Sequence, residues 1–173
     1  YDGTNWSLIP SSTKANLTAV WGSGFDNVYA VGTQGTLLHY TETSGTFTPV
    51  ILGTTSLLWS IWGNSENNIW VVGEQGALFH FDGHTFTLQH FLQNPNEETN
   101  YYITGIWGNS KGDLWLVGSE TTGEQLVSIK RTGITWQPPV IQKQRNPLRT
   151  LRVGIIGFEP NELFVLVSGE TVV

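Results

Sequence analysis

The amino-acid sequence predicts an all-β fold in which a four-stranded antiparallel unit is repeated about four times along 173 residues. A Trp-Gly dipeptide recurs at intervals of 41 and 45 residues, and a worn copy with Ile in place of Trp follows 49 residues later. A period of this length is typical of repeat architectures, whose units bury their faces on their neighbours. The anchors are Trp21, Trp62 and Trp107, each followed by its glycine, Gly22, Gly63 and Gly108, and then Ile156 with Gly157.

Short apolar runs separated by turn residues predict that each repeat is made of strands. In the second repeat they predict strand A at residues 58–62, strand B at 69–72, strand C at 77–81 and strand D at 85–90. The Asp82-Gly83 pair between strands C and D is a strong hairpin signal. A repeated four-stranded meander is the pattern of a β-propeller blade. The predicted propeller region spans residues 1–173, with blades at 17–50, 58–91 and 103–138 and an incomplete blade at 151–173.

The pattern within strand A predicts which residues face the neighbouring blades. A small residue lies two positions before each Trp, and alternation along a strand puts it on the same sheet face as the indole. The residue between the two faces the other way, into the adjacent blade. The small residues are Ala19, Ser60, Gly105 and Gly154, and those between are Val20, Ile61, Ile106 and Ile155.

The two ends of the chain leave the number of blades open. Residues 1–10 align with strand D of a blade whose other strands do not precede them, and the chain stops within strand C of the fourth repeat. One interpretation is a closed four-bladed ring, which removes exposed sheet edges. The other is part of a larger propeller, completed by the remainder of a longer chain or by a second copy. The unfinished last blade favours the second interpretation.

Loop lengths predict a binding face. All length changes fall in the B–C and D–A connections, which share one face of a propeller, and insertions confined to one face typically mark the binding side. Drift in exposed loops is the alternative explanation. Charged residues on these loops suit a complementary protein surface. The candidate binding residues are Glu97, Glu98, Glu120 and Glu124 in an acidic group and Lys143, Arg145 and Arg149 in a basic group.

Composition excludes several classes of function. A net charge of −6 and a pI near 5.0 argue against a nucleic-acid-binding protein. The absence of cysteine excludes disulfides and cysteine-ligated zinc. No apolar run approaches the roughly 20 residues that a membrane-spanning helix needs. The abundance of small polar residues favours an extracellular or cell-surface location.

The sequence contains no recognisable catalytic constellation. No serine lies in a nucleophile elbow, and Asp82 and similar carboxylates lie in turns, where they stabilise the backbone. His80 and His84 flank the Asp82-Gly83 turn without a third recurring ligand, so all four histidines are interpreted as surface residues and no metal or cofactor is expected. The recurrent tryptophans would suit sugar stacking, although core packing explains them better.

The segment Trp-Gly-Ser-Gly-Phe-Asp-Asn-Val-Tyr-Ala-Val-Gly at residues 21–32, with Gly-Thr-Leu-Leu-His-Tyr at 35–40, resembles a bacterial β-propeller repeat family. The consensus of that family reads Trp-Gly-Ser-Gly-Pro-Asp-Asp-Val-Trp-Ala-Val-Gly. Such repeats are similar, more distantly, to sialidase-like Asp-box propellers and photosystem II assembly propellers. Phe25 and Ile156 depart from the consensus, and Asp2 and Asp82 do not form an Asp-box. The resemblance implies a propeller from a secreted or surface protein.

These observations predict a non-catalytic propeller scaffold that binds a protein partner through the face with the B–C and D–A loops. A carbohydrate-binding, lectin-like module is the alternative, since tectonin-type propeller lectins share Trp-Gly-rich repeats. A glycoside-active enzyme is disfavoured, because neither an Asp-box nor a spread arginine triad is present.

Overall fold

A computed structural model describes residues 3–122, 125–143, 153–158, 162–167 and 170–172 and contains four antiparallel sheets. The predicted all-β class and the meander order of the strands are confirmed. The first sheet consists of β1 (Leu17–Gly24), β2 (Asn27–Gly32), β3 (Leu37–Tyr40) and β4 (Phe47–Val50), and the second of β5 (Leu58–Ser65), β6 (Asn68–Gly73), β7 (Leu78–Phe81) and β8 (Phe86–Leu88). The third consists of β9 (Tyr101–Gly108), β10 (Leu114–Glu120), β11 (Gln125–Thr132), β12 (Thr135–Trp136) and β13 (Val140–Lys143), and the fourth of β14 (Val153–Phe158), β15 (Glu162–Val167) and β16 (Glu170–Val172).

Consecutive sheets pack through their first strands, β1 on β5, β5 on β9 and β9 on β14. The sheets are therefore arranged as propeller-like blades, and the core lies between them. In β6, Ile69 and Val71 pack in the cluster shared with the first sheet, while Trp70 and Val72 pack in the cluster shared with the third. This two-sided burial accounts for the continuous apolar run of strand B. One short helix, α1 (Pro95–Glu98), lies between the second and third blades, and no helix in the ranges given above is long and apolar enough to cross a membrane.

Each tryptophan of the repeated Trp-Gly pair lies against the glycine of the next blade. A Cβ atom added at Gly63 would be 2.6 Å from Cζ2 of Trp21, and one at Gly157 would be 2.6 Å from Cζ2 of Trp107. The nearest atom to a Cβ at Gly108 likewise belongs to Trp62. The second and third blades each contribute an indole to one neighbour and a bare backbone to the other, which accounts for the pairing of Trp with Gly in these strands.

The residues between the small residue and the tryptophan face the preceding blade, as the alternation predicts. Ile61 and Ile106 are buried in the two cores, with 7% and 5% exposure. Val20 occupies the same position in β1 but is 66% exposed. The expectation of burial is therefore wrong for Val20, because no sheet packs on that side of β1.

The predicted strand D at residues 1–10 is absent from the described part of that segment. Residues 3–16 form no strand, and Trp6 and Leu8 are almost fully exposed. The carbonyl of Pro10 instead accepts hydrogen bonds from the Phe47 amide and the Thr46 hydroxyl, so the segment runs beside β4. A fourth strand needs the edge of a third strand to pair with, and none adjoins residues 3–10.

Strand D of the third blade is divided into two pieces. β12 pairs with one end of β11, and β13 pairs with the other end. Pro138 and Pro139 lie between the two pieces. Because proline has no amide hydrogen for a sheet ladder, the pair interrupts the strand. The result moves Lys143 to the same end of the blade as Gln125.

Candidate binding face

The B–C turns and the D–A linkers are hydrogen-bonded to one another, which places them on one face of the molecule. The amide of Gly35 donates to the carbonyl of Ser56, and the amide of Gly76 donates to the carbonyl of Tyr101. Each blade is also bonded to the linker that precedes it, since the amides of Thr33, Glu74 and Thr121 donate to the carbonyls of Asn16, Leu57 and Asn100. The B–C turns and the D–A linkers thus form one continuous surface, which is called the linker face below. The expectation that all length changes fall on this face is wrong, because the C–D turns on the opposite face also differ: six residues separate the paired residues Tyr40 and Phe47, and four separate Phe81 and Phe86.

Two equivalent grooves open on the linker face. The first lies between the N-terminal linker and the linker joining the first two blades, and the second lies between that linker and the one leading to the third blade. Their volumes are about 470 and 430 Å³. Leu52, Gly53 and Thr54 line both grooves and form the ridge between them. The first groove is further lined by Gln34, Thr36 and Pro49, and the second by Gln75, Phe79 and Asn96.

A glutamine in left-handed backbone conformation lies at the same position of each groove. Gln34 has φ of 59° and Gln75 has φ of 56°. This region is unfavourable for residues with a side chain, and such strain concentrates at functional sites. Both glutamine side chains are exposed. These glutamines are not among the residues predicted from sequence, although the Gln-Gly dipeptide that recurs at the two B–C turns marks their equivalent positions.

The glycine that follows each glutamine lets the linker cross the turn closely. A Cβ at Gly76 would be 2.6 Å from the Cβ of Glu98, and one at Gly35 would collide with the Thr54 carbonyl. The two glycines also have positive φ, 65° for Gly35 and 70° for Gly76. The linker is therefore held tightly against the turn, and the preceding glutamine is directed into a fixed position beside the groove.

Glu98, one of the predicted binding residues, is buried in the linker and lines the second groove. It is 3% exposed, and its Oε1 accepts hydrogen bonds from the amides of Phe91 and Leu92. Its Oε2 lies 2.9 Å from Nδ1 of His90. These contacts fold the linker back on itself, so the carboxylate is occupied within the wall of the second groove.

The other acidic candidates lie around Tyr101. Burial raises the pKa of the Tyr101 hydroxyl, and the charges of Glu120 and then Glu97 raise it further. Glu97 belongs to α1 and Glu120 ends β10, so the fold brings together two carboxylates that are distant in sequence. Glu124 lies outside the described residues.

The basic group is represented by Lys143. This residue is exposed at the end of β13, opposite Gln125, which begins β11 directly after the B–C loop. Lys143 therefore lies on the linker face in the same blade as Glu120. Arg145 and Arg149 lie outside the described residues.

His39 and His80 are not free surface residues, which corrects their interpretation from sequence. Each is half-buried, and its Nε2 lies 2.7 Å from the Oδ1 of a strand B asparagine, Asn27 or Asn68. The imidazole of His80 stacks on Trp70, with 4.1 Å between ring centroids. Burial lowers the pKa of both histidines, and the charge of Arg131 lowers that of His80 further. Within the described ranges, no cluster of three or more potential metal ligands occurs.

The recurrent aromatic residues are used inside the protein. Tyr29 and Trp70 are 5% and 2% exposed, and the Trp-Gly anchors cover glycines between blades. None of these lines the two grooves. Core packing, the favoured interpretation of the aromatic pattern, is therefore confirmed for Tyr29 and Trp70, and they offer no exposed ring face for a sugar.

Solved structures include proteins that are similar to this chain. No protein-family model matches the sequence, and no curated protein matches it. Among solved structures the chain is similar to "YCF48 bound to D1 peptide", with a TM-score of 0.47 and 15% sequence identity. The similarity covers 96% of this chain and 65% of that chain, so this chain spans less than two thirds of the length of the other.

Proposed function

We propose that this chain is a non-catalytic β-propeller scaffold whose linker face binds an extended segment of a protein partner. The observation that carries the proposal is the pair of equivalent grooves, one at the B–C turn of each of the first two blades, with a strained exposed glutamine beside each. Two copies of one arrangement at the spacing of a blade suit a ligand that is itself repetitive along its length. A polypeptide backbone has that property.

The chemistry of the grooves supports a peptide ligand. Their walls combine apolar side chains such as Leu52 and Phe79 with hydroxyl and amide groups such as Thr36 and Asn96. Binding sites of this kind use the apolar walls for affinity and a few polar groups for orientation. A glutamine amide both donates and accepts hydrogen bonds, so Gln75 can pair with the backbone amide and carbonyl groups of an extended segment.

The shared ridge supports a ligand that crosses from one groove to the other. Leu52, Gly53 and Thr54 line both grooves, so only one linker separates them. A peptide segment that leaves the first groove would cross this linker and enter the second. Occupying both sites at once raises affinity without new contacts, because the second event is intramolecular.

Charges beside the second groove support selection among peptides. Glu97 and Glu120 lie close to Tyr101, with Lys143 on the same blade. Exposed charges of this kind govern specificity and the rate of association more than total affinity. A preferred segment would place a basic residue near Tyr101.

The proposal also covers the number of blades in the complete propeller and the location of the protein. Exposure of Val20 and Ile156 supports a propeller with more than four blades instead of a closed four-bladed ring. The low content of charged residues, 13%, supports a location outside the cell or on its surface.

A phage-displayed library of random peptides, selected on the immobilised protein, tests the proposal. We expect selected peptides to bind the wild type and to lose at least about tenfold in affinity on the Gln34→Ala/Gln75→Ala variant, as the loss of about one net hydrogen bond at each of two sites implies. The matched control is Gln137→Ala, an exposed glutamine outside both grooves. Equal binding to all three proteins, or failure of the folded wild type to select any peptide, would contradict the proposal.

A further inference from the structure

The two grooves of the linker face differ in chemistry at one equivalent position. Pro49 and Leu88 correspond to each other, because each pairs with the second residue of β3 or β7. Two residues later the chain reaches Ile51, which lines the first groove, and His90, which lines the second. Ile51 is 86% exposed, and the side chain of His90 is 46% exposed. The repeat thus places an apolar side chain in one groove and an imidazole at the same place in the other.

The imidazole of His90 is held in one orientation by Glu98. Its Nδ1 lies 2.9 Å from Oε2 of that carboxylate, whose Oε1 accepts hydrogen bonds from the amides of Phe91 and Leu92. An ionised carboxylate accepts hydrogen bonds and does not donate them, so Nδ1 carries the proton. Nε2 of the neutral ring is then an acceptor, and no side chain or backbone group in the described part of the chain donates to it.

The charges that line the two grooves also differ. Among the described residues, those that line the first groove include no charged side chain, and those that line the second include the carboxylate of Glu98. Neither of these sets of described residues contains a lysine or an arginine. Glu97 adjoins Glu98 in α1 and is exposed, so it adds to the negative potential. The second groove therefore combines a hydrogen-bond acceptor with a negative potential, whereas the first is uncharged.

We propose that His90 determines the specificity of the second groove for a lysine or arginine side chain, while the first groove takes an apolar side chain at Ile51. This inference rests on the proposed function of the linker face. The cationic group donates a hydrogen bond to Nε2 of His90 and is attracted by the carboxylate of Glu98. The difference fixes the register of the bound segment, because a shift by one groove would place its cation against Ile51.

Peptides selected on the wild-type protein from the phage-displayed library test this register. We expect them to carry a lysine or arginine at one fixed position and an apolar residue at another. Methionine in place of the basic residue keeps an unbranched side chain and removes the charge. This replacement is expected to weaken binding to the wild type at least about tenfold, as the loss of a hydrogen bond to a charged group implies.

The His90→Ile variant gives the second groove the side chain of the first and completes a double-mutant cycle. The penalty for the methionine peptide is expected to be at least about threefold smaller on this variant, because residues in direct contact are coupled. The matched control is His84→Ile, an exposed histidine in the turn between β7 and β8 and outside both grooves. The full penalty is expected on this control.

A measurement on the wild type accompanies the cycle, because His90→Ile removes a partner of a buried carboxylate and alters the linker. In a proton–carbon NMR spectrum of the wild-type protein, the imidazole resonance of His90 is expected to shift on titration with a selected peptide. The resonance of His84 is expected to keep its position.

Three results would overturn the specificity of His90 and leave the proposed function intact. They are selected peptides that depend on Gln34 and Gln75 but carry no fixed basic residue, an equal penalty for the methionine peptide on the wild type and on His90→Ile, and an unshifted His90 resonance. Failure of the folded wild type to select any peptide would instead overturn the proposed function and this inference together, so the two failures are distinguishable.

Discussion

The indole of Trp21 lies so close to the backbone of Gly63 that a methyl group at residue 63 would be 2.6 Å from Cζ2 of the ring. The two residues belong to different blades, and the contact recurs between the later blades. Ordinary contacts between carbon atoms are about 3.5–4.0 Å. Gly63, Gly108 and Gly157 are therefore required by the indole of the preceding blade.

Gly63→Ala is expected to destabilise the protein by about 1–3 kcal/mol, because an extra methyl group in a packed junction forces the indole or the strand to move. Urea-induced unfolding followed by tryptophan fluorescence measures the change. Gly154→Ala is the matched control, since a Cβ there meets no atom within 4 Å. Equal losses for the two variants would show that the effect is a property of strand glycines and not of the Trp–Gly contact.

Glu98→Ala is expected to cost about 1–3 kcal/mol or more, because the amides of Phe91 and Leu92 lose their acceptor in a buried position. Glu97→Ala changes the adjacent, exposed residue of the same helix and is expected to stay within about 0.5 kcal/mol. Thermal and urea unfolding of the two variants make the comparison. A Glu98→Ala protein as stable as Glu97→Ala would contradict the structural role of that carboxylate.

Stability is expected to fall as the solution is acidified through the range of histidine titration. Burial lowers the pKa of His39 and His80 from the ordinary value of 6.5. Between the lowered pKa of the folded state and the pKa of the unfolded chain, the unfolded state binds more protons. Stability is thus fully present above the unfolded value and is lost as pH falls towards the folded one.

Urea unfolding at about pH 7.5 and about pH 5.5 measures this loss, in a range where carboxylates remain ionised. The His39→Gln/His80→Gln variant removes both titrating groups and keeps an amide for Asn27 and Asn68. We expect a smaller pH dependence for this variant than for the wild type. An equal dependence of the free energy of unfolding on pH in both proteins would show that other titratable groups cause the loss of stability.

Gln75→Gly is expected to raise stability while weakening peptide binding. The left-handed backbone costs a residue with a side chain about 1–2 kcal/mol, and glycine avoids this at an entropic cost of about 0.5–1 kcal/mol. A net gain of up to about 1.5 kcal/mol follows. Urea unfolding measures the stability, and titration with a selected peptide measures the binding. The control is Glu74→Gly, which is expected to destabilise the protein because φ at residue 74 is not positive. Unchanged peptide binding by the Gln75→Gly variant would show that the strained backbone at residue 75 is not needed for binding.

The repeat pattern predicts the sheets because each blade is built from local strands whose alternation is visible in sequence. Ile61 and Ile106 were assigned correctly, since their burial depends only on the presence of a next blade. Val20 shares their pattern and differs in exposure, because its environment depends on a neighbour that the repeat does not encode. The absence of strand D at residues 3–10 has the same cause.

The candidate site was predicted less completely than the fold. The linker face follows from strand connectivity, so its location could be predicted from the order of the strands. The role of Glu98 could not, because it depends on a linker that folds back over seven residues to put the Phe91 amide beside the carboxylate. The grooves also depend on the separation of neighbouring linkers, which no pattern of residue types specifies. The exposed position of Lys143 results from the two prolines that divide its strand.

The direction of the Trp–Gly contact has a consequence for how such an array changes in evolution. Each of the first three blades carries a tryptophan and a glycine of the junction on one strand, so a duplicate of one of them would carry the groups that join it to the blades on either side. Deletion of a whole blade brings an indole and a glycine together again in the same way. An array of such blades can therefore lengthen or shorten by whole units without compensating substitutions at the anchor pairs.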